Sequence, residues 1–127
     1  MKGLLSSLNL VIALVGLISF SGCTFDKKEV PEQPLPDTVS YNIHIQPMFN
    51  LICATPGCHS GLNPSAGLTL IDSISYNDLF IKHEINILNP GSSNLYRFMN
   101  SNMPPSGKVP YDVSLILKWM EQGAKNN

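Results

Sequence analysis

The chain has 127 residues, room for one small domain with an extension and too little for a multi-domain enzyme. Eight Lys and Arg against nine Asp and Glu leave a net charge of -1, which excludes a basic nucleic-acid surface and an acidic tail. Charged side chains make up 13% of the chain, about half the usual ~25%, so the folded body is expected to pack around something apolar. Ten prolines and nine glycines predict loops between short helices.

Met1-Lys2 gives a positive start, and residues 10–18 form an unbroken apolar run. The run is too short to span a membrane comfortably and has the length of a secretory h-region. Ser21-Gly22 then precede Cys23, so residues 1–22 resemble a bacterial lipoprotein signal peptide, with Phe20 standing where the pattern has Leu or another aliphatic residue. That resemblance implies cleavage before Cys23, lipid on its sulfur, and a body that is exported, membrane-anchored and facing the periplasm. Thr24 after the cysteine favours the outer membrane. The competing reading is an uncleaved anchor helix with an incidental cysteine. Residues 23–38 carry three prolines and mixed charge with few core formers, which predicts a solvated linker.

The folded domain is then 39–127. Tyr41, Ile45, Met48, Phe49 and Ile52 recur at helical spacing and lead into Cys53. Pro47 interrupts this helix, which either kinks there or begins at that proline. Residues 68–71 read as a short extended piece. Ser75 is placed as the N-cap of a short helix through Leu79 and Phe80, and Ser93 as the cap of one over residues 94–99. The last helix spans about residues 111–122, with Val113, Ile116, Leu117 and Met120 on its apolar face, Trp119 half-buried at the border, and Gly123 as its stop. The fold class is all-α, with about four short helices.

Apart from Cys23, two cysteines remain, in Cys53-Ala-Thr-Pro-Gly-Cys58-His59. An oxidising compartment does not leave two nearby thiols idle. Three uses compete: a disulfide, a metal site with His59 as third ligand, and covalent haem attachment with His59 on the iron. A disulfide has no use for the adjacent histidine, and a zinc site draws on a second paired cluster that this chain lacks. Haem attachment requires the adjacency. The spacing is C-x4-C-H rather than C-x-x-C-H, and Pro56-Gly57 can turn the two extra residues outward.

An iron with histidine below takes Met or His above. Met103, in Ser-Asn-Met-Pro-Pro-Ser-Gly over residues 101–107, is the candidate, because two following prolines hold the segment extended and leave few backbone donors. Met48, Met99 and Met120 read as core, and His44 and His83 as fallback ligands. Pro64 is a candidate carbonyl for the second ring nitrogen of His59.

In this order the motifs resemble a class I c-type cytochrome domain of the small planctomycete-type kind. They run from Ile45–Phe49 through Cys53, Cys58 and His59 to Gly67-Leu-Thr-Leu70, Asn89-Pro-Gly91, Asn94-Leu-Tyr-Arg97, Met103-Pro-Pro105 and Ile116–Ala124. The resemblance implies one covalent haem c held by Cys53 and Cys58, with His59 proximal and Met103 distal, wrapped by the helices. It also implies that the first and last helices cross near the haem edge, at Phe49 and Trp119. Val109-Pro110 stands where the family caps its last helix with Ser or Thr, so that helix is expected to begin at Pro110.

With both axial positions filled, the expected function is single-electron transfer with redox partner proteins of the envelope, not catalysis. Two other functions share some of these features: a haem-bearing accessory or sensing subunit of an envelope oxidoreductase, and a disulfide-stabilised binding lipoprotein without haem. Glu84, Asp112 and the other acids are scattered, with no pairing that suggests hydrolytic chemistry.

Overall fold

A computed structural model describes residues 33–127. The signal segment, Cys23 and most of the linker lie outside the described residues. Among the described residues there is no strand, and the all-α expectation holds. Four helices carry the fold: α1 over residues 41–53, α2 over Ser75–Ile81, α3 over Asn94–Met99 and α4 over Pro110–Glu121. Two single 3-10 turns, Ser65–Gly67 and Pro90–Ser92, shape the connections.

Helix α1 continues through Pro47 rather than starting there. Only Gln46–Met48 is regular α-helix; Tyr41–Ile45 before it and Phe49–Cys53 after it are π-turns. Pro47 has no N–H to give and its ring crowds the carbonyl one turn back. The preceding turn opens to make room: the Gln46 N–H reaches Tyr41 O, five residues back. The start of α1 is held reciprocally. Ser40 Oγ accepts the Ile43 N–H at 3.3 Å, and His44 Nδ1 accepts the Ser40 N–H at 2.9 Å. The Asn127 carbonyl takes the Asn42 N–H at 2.9 Å, satisfying another donor of the first turn.

The predicted inner face of α1 is confirmed: Tyr41, Ile45, Met48 and Phe49 are buried, with Ile52 half-buried. In α4 the face is rotated from its expected position. Val113, Leu115, Ile116, Trp119 and Met120 are buried, while Leu117 is only half-buried. Trp119 is fully buried, not bordering, because its indole N–H finds the Lys125 carbonyl at 2.9 Å and its ring packs 5.2 Å from that of Tyr41. Tyr41 is the central ring where α1 meets α4, 6.4 Å from Phe49 on its other side.

Ser75 and Ser93 both do something other than cap. Ser75 is the first residue of α2, and its hydroxyl accepts from Tyr41 Oη at 2.7 Å and donates to Gln46 Oε1. Gln46 Nε2 continues to the Leu70 carbonyl at 3.0 Å and Asn50 Oδ1 at 2.9 Å. This buried network ties α1 to α2 and to the segment before it. Ser93 occupies the N-cap position of α3, but its Oγ accepts the Asn86 N–H at 2.9 Å instead of a helix donor. Helix α4 begins at Pro110, as expected, and Gly123 closes it with φ of 93°.

Candidate cofactor-binding site

The C-terminal end of α1 delivers Cys53 to the wall of an apolar slot. The Ala54 N–H closes the last wide turn on Phe49 O at 2.7 Å, and the chain then reverses over Thr55–Cys58. In that reversal the Cys58 N–H reaches Thr55 O at 3.0 Å, with Pro56 second and Gly57 third at φ of 83°. Proline followed by a left-handed glycine is the signature of a type II turn. The turn absorbs the extra residues of the C-x4-C spacing. Across its base the His59 N–H bonds Cys53 O at 3.0 Å, which returns the chain to the slot.

His59 is fixed from both ends. Its carbonyl accepts the Leu70 N–H at 2.8 Å, and its ring Nδ1 lies 3.1 Å from Leu68 O. With Nδ1 carrying the proton to that carbonyl, Nε2 is left as the free lone pair. The partner carbonyl is therefore Leu68, not Pro64, whose own carbonyl takes the Gly67 N–H at 2.9 Å. The left-handed Ala66 and Gly67, at φ of 53° and 68°, turn the chain so that Leu68 comes back beneath the ring.

Met103 comes from the end of α3. The Phe98 carbonyl accepts the N–H groups of both Asn102 and Met103 at 2.8 Å, wrapping the chain round the helix terminus. Pro104 and Pro105 follow along the slot wall. Cys53, Cys58, His59 and Met103 all line this one slot, whose cavity volume is about 280 Å³. Phe49, Ile52, Leu68, Leu70 and Leu95 supply apolar wall, and Phe98 and Met103 remain 50% and 36% exposed at its mouth. Apolar side chains gathered round an open slot are a surface that calls for a ligand.

Two features of the slot escape the sequence reading. Met99, placed in the core from its spacing, is buried but also lines the slot, so a second thioether faces it. Glu84, one of the acids scattered along the sequence, lines it as well. Burial pushes the Glu84 carboxyl up, with His59 and Lys82 pulling it back. Burial, then Asp112 and Cys58, pushes the Cys53 thiol up to about 11, so it stays protonated at neutral pH. The fallback ligands are elsewhere: the His44 Nδ1 is occupied by the Ser40 N–H, and neither His44 nor His83 lines the slot.

Cys53 and Cys58 are free thiols. Among the described residues, no three His, Cys, Asp or Glu side chains converge as a zinc centre requires. No helix among them is long and apolar enough to cross a membrane. Comparisons with protein-family models, with curated proteins and with solved structures give no match.

Proposed function

We propose that this chain is a lipid-anchored monohaem c-type cytochrome that passes single electrons to partner proteins of the cell envelope. One observation carries the reading: two free thiols, a tethered imidazole and a thioether all line one apolar slot. A zinc site would want more donors, and a disulfide would leave the slot without purpose. The residues that line the slot suit haem c by their chemistry. Cys53 and Cys58, held across the Thr55–Cys58 turn, are the thiols that would anchor its edge.

When bound, a haem iron between one imidazole and one thioether takes up and releases one electron. The chain's own residues prepare that site. Leu68 O holds the His59 ring and increases the basicity of its free nitrogen. Phe98 O holds the backbone of Met103, and the apolar wall offers a surface for a flat ring. In this proposal Cys23 carries the lipid, residues 23–38 are the tether, and 39–127 is a cytochrome c-like domain on the periplasmic side of the outer membrane.

The test is a denaturing gel stained for haem, run on the full chain made in a host with haem-attachment machinery. A stained band at the chain's mass is expected, and it should vanish when Cys53 and Cys58 are both changed to Ser. A colourless chain with the two thiols joined to each other would end this reading.

A further inference from the structure

Two of the four helices end in the same chain reversal, and the contrast between them isolates Glu84. At the end of α4, Gly123 is left-handed at φ of 93°, its N–H reaches Met120 O at 2.9 Å, and the Ala124 N–H reaches Trp119 O at 3.0 Å. Ala124 is buried against the core. Glycine stands where the motif favours it, and a small apolar residue, itself left-handed at φ of 47°, folds back on the helix.

At the end of α2 the same bonds recur. His83 is left-handed at φ of 57°, its N–H meets Phe80 O at 3.1 Å, and the Glu84 N–H meets Leu79 O at 2.9 Å. Here neither residue suits its place. A histidine stands where glycine is favoured, and a carboxylate stands where an apolar side chain is favoured. Locally poor choices that persist are concentrated where a function demands them.

The backbone of Glu84 is pinned on both sides, since its carbonyl also accepts the Leu95 N–H at 3.1 Å. The carboxylate is thereby carried by a fixed stretch of backbone beside the slot. It is the one Asp or Glu among the residues lining that slot. The charged or titratable groups near enough to influence it are His59 and Lys82. Lys82 places its Nζ 3.8 Å from where a Cβ on Gly67 would stand.

We infer that Glu84 is a potential-setting residue: its carboxylate, held on the slot wall, stabilises the oxidised, more positive state of the proposed haem over the reduced one. This inference rests on the haem reading. Oxidation removes one electron from the iron to a partner's redox centre, and a negative charge on the wall of an apolar slot favours the extra positive charge that remains.

The experiment measures the midpoint potential of the haem-loaded full chain by optical titration. For Glu84→Gln, the equilibrium should shift about tenfold toward the reduced form, about 59 mV upward for one electron, with an unchanged visible spectrum. Glu84→Asp, which keeps the charge, and His83→Gly, which keeps Glu84, should both stay within about twofold of wild type. An unmoved potential in Glu84→Gln overturns the inference, and so does an equal shift in Glu84→Asp. If Glu84→Gln does not accumulate, Glu84→Ser carries the same comparison. A wild-type chain without covalent haem defeats the underlying reading instead, and is distinguished by its lack of colour.

Discussion

A single hydroxyl, that of Ser75, completes the buried network joining Tyr41 to Gln46. Ser75→Ala would leave two buried polar groups short of a partner at a cost of about 1–3 kcal/mol, read from denaturant unfolding. Tyr41 itself is pushed up to about 12 by burial, partly offset by its bond to Ser75. A group that holds its proton more tightly when folded stabilises the fold until pH rises through its window. Stability of the wild-type chain should therefore fall between about pH 10 and 12, and Tyr41→Phe should flatten that part of the curve. Two thioethers face the slot, and they are separable. Met103→Ala should alter the visible spectrum of the haem-loaded chain, while Met99→Ala should mainly lower stability, because Met99 is buried and Met103 is at the mouth. The reverse pattern would reassign the distal ligand.

Helix ends show how far local rules reach. The left-handed position after α2 is occupied by His83 and that after α4 by Gly123. Exchanging one preference for the other gives opposite signs. His83→Gly should raise stability by about 1 kcal/mol, and Gly123→Ala should lower it by about as much, both measurable as shifts in melting temperature. Helix α1 bends the rules differently. It retains Pro47 by widening the turns on either side, and so keeps Tyr41 and Cys53 on one continuous rod. That rod couples the core crossing with α4 to the thiol at the slot.

The whole domain is small, and core side chains such as Phe49, Leu70 and Leu95 face the slot on one side. Domains of this size have thin cores, and a staple or a cofactor often adds to their stability. Chain made without haem is expected to melt without a sharp transition, and covalently loaded chain to melt cooperatively. A sharp, cooperative melt of the haem-free protein would show that the helices suffice by themselves.

Helical periodicity made α1 and α4 legible and cap-like serines marked α2 and α3, because spacing and punctuation, as at Pro110 and Gly123, are local properties of the chain. Adjacency made Cys53, Cys58 and His59 legible as one site, and Pro56-Gly57 announced the turn that joins them. Other features were settled only when distant segments met. Leu68 rather than Pro64 holds the His59 ring because the left-handed pair at 66–67 brings the later carbonyl under it. Ser75 and Ser93 resemble caps in sequence, yet donors from elsewhere in the fold claim their hydroxyls. Leu115 is buried in place of Leu117, and Trp119 is fully buried, because Tyr41 and the Lys125 carbonyl complete its surroundings. Met99 and Glu84 reach the slot wall through long-range packing that no local pattern encodes. Backbone preference acts over a few residues and is written in the sequence, whereas the partner of a polar atom is chosen by the tertiary contact that excludes water from it.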